Sequence, residues 1–297
     1  MWIRWSTVTA NCSAARVGRL SACSTPTQPT QPTQPTQPTQ PEGPLRAETV
    51  VAVTDAAELI RFNAGQPQRI LHRRPLLGLV AGDRLVGIDY RVSRGVLYAL
   101  SAAGRLYTPD AGTGQLSAVG TGTPVALAGT VFGFDFNPAA DRIRVVSDSG
   151  MNLRLHPDTG AVAATDPPLA YAPGDVRAGQ PPRVVAAAYT YNKNDAKLTT
   201  NCAIDSEAGT LVIQGTKEGG LPAVPPNTGQ LRTVGALGTG PVDGAVFDIA
   251  DLSNAPLAAL RSASRTRLYL LDLATGRAGV LGTVGDGRVS WGLAIKP

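Results

Sequence analysis

The residues best equipped for chemistry crowd into one stretch: Asp135, Asn137, Asp141, Arg142, Arg144, Ser147, Asp148, Asn152 and Arg154. In an extended chain successive side chains alternate sides, so Arg142 and Arg144 share one face and Asn152 and Arg154 share another. A guanidinium presents a rigid fork of donors that fits a carboxylate or a phosphate. Two readings follow. Asp135, Asn137, Arg142, Arg144, Asn152 and Arg154 hold an anionic or sugar-like ligand, or the arginines form structural pairs with carboxylates, Asp135 among them. The structural reading is preferred, because buried arginine is rare unless paired.

A second set is Asp89, Asp135 and Asp248, which recur at equivalent places in three similar segments. Carboxylates gathered this way suit Ca²⁺, which takes several oxygen ligands. The competing role is to accept backbone N–H groups. Calcium is therefore the one cofactor the sequence raises, and no loop of clustered Asp and Asn supports it.

Other chemistries are poorly served. The two histidines, His72 and His156, are far apart and read as surface residues. No G-x-S-x-G, Walker A or H-E-x-x-H motif occurs. The three cysteines are Cys12, Cys23 and Cys202, with no C-x-x-C pair, so a cysteine zinc site is excluded. The net charge of +5 is scattered, and a nucleic-acid binder would cluster it. No nucleic-acid partner is expected.

The elements that must position these residues repeat along the chain. Gly87-Ile-Asp-Tyr, Gly133-Phe-Asp-Phe, Ala187-Ala-Tyr-Thr, Ala245-Val-Phe-Asp and a truncated Trp291-Gly-Leu-Ala-Ile each open a unit. Turns rich in Thr-Gly close four units, at 110–114, 157–160, 226–229 and 273–276. Asp, Asn or Thr before Gly is hairpin chemistry. Leu153 and Leu155 alternate with Asn152, Arg154 and His156, the period of half-buried strands. Each unit reads as three strands, a turn and a fourth strand, which is the size and pattern of a propeller blade.

The ends complete one another. Residues 49–74 lack an opening strand, and Gly292–Ile295 supplies one. The expected fold is all-β: a five-bladed β-propeller over residues 47–297 whose terminal strands close one blade. Six blades would follow if 161–185 hid further strands, and a parallel β-solenoid is the other candidate.

Ahead of this domain, residues 1–22 read as a signal segment and 23–46 as a tether. Leu20-Ser-Ala-Cys23 resembles a bacterial lipoprotein box, with Cys23 as the lipidated residue. A Pro-Thr-Gln repeat runs on to Pro41. It has nothing to bury and favours extended polyproline II. The chain is thus expected to be exported to the cell envelope and held to the membrane by a lipid anchor, as a monomer. A cytoplasmic location is the alternative, because Asn11, Ser13, Arg16 and Arg19 interrupt the apolar stretch a signal peptide needs.

Several ordered motifs carry a resemblance. They are Gly133-Phe-Asp-Phe-Asn-Pro, Asp141-Arg-Ile-Arg-Val-Val-Ser, Pro157-Asp-Thr-Gly, Gln180-Pro-Pro-Arg-Val-Val-Ala-Ala-Ala-Tyr-Thr and Pro226-Asn-Thr-Gly-Gln-Leu. Together they resemble the bacterial family called domain of unknown function 4394, whose members are typically exported or envelope-associated. The resemblance implies the fold group and no activity. Two functions follow: a non-catalytic binding or scaffold module for a protein or carbohydrate partner, or a metal-dependent hydrolase or lyase with its site in the propeller channel. Convergence of three carboxylates in the channel is the feature that would favour the enzyme.

Overall fold

A computed structural model describes residues 43–297 apart from 122, 196, 241, 264 and 289. The signal segment, Cys12, Cys23 and the Pro-Thr-Gln repeat lie outside the described residues. Among those described, the only helix is the 3-10 turn Pro226–Thr228, and everything else regular is strand.

Five sheets form five blades. Blade one holds β1 (Thr49–Thr54), β2 (Glu58–Asn63), β3 (Ile70–Pro75) and the last strand, β21 (Ser290–Ile295). Blade two is β4 (Leu85–Arg91), β5 (Val96–Ser101), β6 (Leu106–Pro109) and β7 (Leu116–Ala118). Blade three is β8 (Phe132–Asn137), β9 (Arg142–Ser147), β10 (Asn152–Leu155) and β11 (Val162–Thr165). Blade four is β13 (Val184–Tyr189), β14 (Asn201–Asp205), β15 (Thr210–Gln214) and β16 (Gln230–Ala236), and blade five is β17 (Gly244–Ile249), β18 (Pro256–Ser262), β19 (Arg265–Leu271) and β20 (Ala278–Thr283).

The closure read from the two chain ends is present. β21 pairs antiparallel with β1, Val50 opposite Ile295 and Val53 opposite Gly292. This leaves the ring without an open seam. The segment 161–185 does not add a sixth blade. It supplies β11, and then β12 (Ala170–Tyr171), which pairs in parallel with β16 as a fifth strand of blade four.

Burial grades from the axis outward. Every residue of β4 and β13 is buried, whereas β3 and β11 on the rim are largely exposed. Each of the five blade-to-blade interfaces carries its own apolar cluster. The turns between third and fourth strands work as their sequences predict. Asp110 Oδ1 accepts N–H groups of Gly112 and Thr113 at 2.8 Å each, and Gly114 sits at φ 82°. Only glycine adopts that conformation cheaply.

Neighbouring inner strands pack closely against one another. A Cβ on Gly87 would fall 2.3 Å from Phe134 Cβ, and one on Gly133 would fall 2.6 Å from the Ala187 nitrogen. Along the axis itself only a narrow space of about 10 Å³ remains, bordered by Gly87, Gly133, Ala187, Phe247 and Gly292.

Candidate functional site

At one end of the axis Asp89, Asp135 and Asp248 converge. One carboxylate oxygen of each lies within 4.8 Å of the others, and all three residues are buried. Each also fastens its blade to the next. Asp89 Oδ2 accepts the N–H of Phe136 (2.8 Å), Asp135 Oδ2 that of Tyr189 (2.8 Å) and Asp248 Oδ2 that of Ile295 (2.5 Å). Asp89 Oδ1 takes its neighbour Tyr90 as well, at 2.7 Å. The backbone-accepting role is thus fully in place.

Burial and mutual repulsion govern the protons here. Desolvation and then the Asp248 charge push Asp89 well above the usual carboxylate range, and desolvation with Asp89 and Asp248 does the same to Asp135. Burial pushes Asp248 up to about 7, and nearby Asp251 up to about 6. Like charges this close cannot all ionise together.

The arginine-rich strands build a different place, on the border of blades three and four. Arg144 is 1% exposed and fully engaged. Its Nη1 donates to Asn152 Oδ1 (2.7 Å) and Asp166 Oδ2 (2.6 Å), its Nη2 to Asn227 Oδ1 (2.5 Å) and its Nε to Tyr189 Oη (3.2 Å). Arg154 grips the same Asp166 with two parallel bonds of 2.9 and 2.8 Å. Burial acts to raise the Asp166 pKa, but the bonds from Arg154 and Arg144 outweigh it and hold the carboxyl below its usual range.

The expected carboxylate partner is corrected. Asp135 stands directly across the ladder from Arg144, yet it turns to the Tyr189 N–H in the axial ring. Asp166, from the loop after β11, takes the ion pair instead. Gln214 extends the network inward, donating to Asn152 Oδ1 (3.2 Å) and to the Pro226 carbonyl (2.7 Å).

Beside this network lies a cavity of about 110 Å³, lined by Asn137, Arg142, Arg144, Arg154, Tyr189 and Asn227 among others. Four of the six sequence candidates, Asn137, Arg142, Arg144 and Arg154, line this cavity, Asn152 belongs to the network beside it, and Asp135 belongs to the axial ring. Asp135 and Asn152 are structural acceptors. Arg144 is a buried tie. Asn137, Arg142 and Arg154 are half-buried and face open space. Asp166, Tyr189, Gln214 and Asn227 were not foreseen as members. The two histidines lie elsewhere: His72 is exposed on rim strand β3, and His156 Nδ1 accepts the Asp158 N–H in a turn (3.2 Å).

Residues 58–294 match the model of the family described as domain of unknown function (DUF4394). The chain belongs to that family. No curated protein is similar enough to count as a relative. Among solved structures, a chain of the crystal structure of a nidogen/laminin complex aligns at 8% identity, covering 84% of this chain and 99% of that one, with a TM-score of 0.49. Dihydro-heme d1 dehydrogenase NirN in complex with DHE aligns at 15% identity, covering 83% and 55%, with a TM-score of 0.33. Both alignments are too loose to carry over a ligand or an activity.

Proposed function

We propose that this propeller is a non-catalytic binding module whose cavity between blades three and four takes a small oxyanion, a carboxylate or phosphate group carried by a protein or carbohydrate partner. The observation that carries this is the charge balance of the cavity. Arg144 and Arg154 share one carboxylate, Asp166, and Arg142 makes no ion pair among the described residues, so two guanidinium charges are left to attract an anion. Arg142 spends one donor on the Asp141 carbonyl (2.9 Å), and Arg154 keeps Nη1 free of its two bonds to Asp166. Titration calorimetry with sodium phosphate and sodium acetate tests it. Binding should appear in the wild type and weaken in Arg142→Gln and Arg154→Gln. Absent heat, or heat the variants leave unchanged, overturns the reading.

The converging aspartates favour a second reading, a metal-dependent hydrolase or lyase with Ca²⁺ held by Asp89, Asp135 and Asp248. A calcium-dependent rise in unfolding midpoint, lost in Asp248→Asn, would support it. An unchanged midpoint leaves the ring with its structural role alone. The envelope location belongs to the same proposal. It rests on the Leu20–Cys23 box and the Pro-Thr-Gln repeat, and mass spectrometry of native protein should find an acylated Cys23. An intact Met1 would refute it.

A further inference from the structure

The other end of the axis carries a feature that neither reading uses. Trp291 of β21 stands there between blades, with the Arg84 guanidinium carbon 4.3 Å from its ring centroid and that of Arg261 5.6 Å away. Thr130, Thr266 and Ser290 help line the pit beside it. The pit holds about 20 Å³, room for a single atom-sized occupant.

Three polar atoms of the residues around it are buried and lack any hydrogen-bond partner: Arg84 Nη1, Thr266 Oγ1 and Ser290 Oγ. Thr266 is 1% exposed. Buried polar groups almost always find partners, and leaving one unmade is costly. Three such atoms, all on residues that border one void, call for an acceptor.

The charges say which kind. No carboxylate lines the pit. Arg84 Nη2 donates to the Thr130 carbonyl (3.3 Å) and Arg261 Nη2 to the Asp243 carbonyl (3.2 Å). Both acceptors are neutral, and among the described residues neither guanidinium makes an ion pair. A water would satisfy the hydroxyls but leave two positive charges unbalanced. A phosphate is too large for the space.

We propose that this pit binds one monatomic anion, a halide ion, through Arg84, Thr266 and Ser290. The site stands apart from the Arg142–Arg154 cavity. Phe132 lines the pit while Asn137 lines the cavity, and these are the two ends of β8.

The test uses the full chain. Unfolding midpoints are measured at fixed ionic strength in sodium sulfate, sodium bromide and sodium acetate. Beyond the general effect each salt has on stability, bromide should give the wild type an extra rise of several degrees that sulfate and acetate, too large for the pit, do not give. The rise should vanish in Thr266→Val, an isosteric change, or in Ser290→Ala if that variant folds poorly. Crystals soaked in bromide should show an anomalous peak within hydrogen-bond reach of the three atoms. Equal shifts in wild type and Thr266→Val mark an adventitious ion only and overturn the proposal. A bromide peak at the Arg142–Arg154 cavity alone also overturns it, while leaving the oxyanion reading standing.

Discussion

The border between blades five and one and the border between blades three and four solve the same problem with opposite chemistry. At the first, Phe62, Leu257, Leu268, Leu293 and Ile295 meet in a cluster that is almost wholly buried. At the second, the apolar cluster is built mainly of small residues, Val146, Val184, Ala187, Ala203 and Val212, with Leu169, Tyr171 and Leu231. Arg144, Asn152, Asn201, Gln214 and Asp205 are buried around it. Apolar burial is non-directional, so the first border tolerates small shifts. The second depends on every bond being made. It is also the border that opens into a cavity. A blade contact assembled from polar groups can leave some donors facing outward, and a contact assembled from leucine cannot.

The sharpest way to break this contrast is Arg144→Ala. It strands Asp166 with one partner, leaves Asn152 Oδ1 to Gln214 alone and takes the Arg144 donor from Asn227. Losing one member of a buried pair costs about 3–5 kcal/mol, and urea unfolding should show a loss of that size. A loss below about 1 kcal/mol would show that the pair is not holding the blades. Leu257→Ala on the apolar border removes a side chain that is 0% exposed. It should cost about 2–5 kcal/mol, and unlike the polar border its cost should not change with pH.

Acid provides the next test. The Asp166 pKa is held down in the fold, so its contribution is present above the unfolded carboxylate value of about 3.9 and is lost as pH falls through the folded value. Urea midpoints measured at neutral and acid pH should fall less steeply in Asp166→Asn than in the wild type, although the variant starts lower. The smallest effect belongs to Arg154→Gln. Its side chain is 31% exposed, so stability should change by about 1 kcal/mol or less, while oxyanion binding should weaken. A large stability loss here would make Arg154 a structural tie like Arg144.

The same contrast shows what the sequence could reveal. Strand order, blade number and terminal closure were legible because the apolar unit openings and Thr-Gly turns repeat in register along the chain. The meeting of Arg144, Asn152 and Arg154 was legible too, since β9 and β10 are a local hairpin and Arg154 stands opposite Arg144. Asp166 was not. It lies in a stretch whose β12 joins the neighbouring blade, and no local pattern announces a partner 22 positions away. Tyr189, Gln214 and Asn227 come from the next blade altogether. The pit beside Trp291 was equally hidden, because Arg84, Thr266 and Ser290 belong to three separate repeats and nothing in their spacing links them.

One consequence of the closed ring concerns mechanical load. The chain enters the fold at β1, and β1 is not an edge. It is laddered to β21 on one side and to β2 on the other. A terminal strand at an edge peels away one hydrogen bond after another when pulled. Here tension drawn in line with β1 falls on two ladders at once, and one of them is the chain's own last strand. Pulling on β1 therefore strains β21 as well, and the propeller resists as a loop under load would, with β21 serving as the clasp.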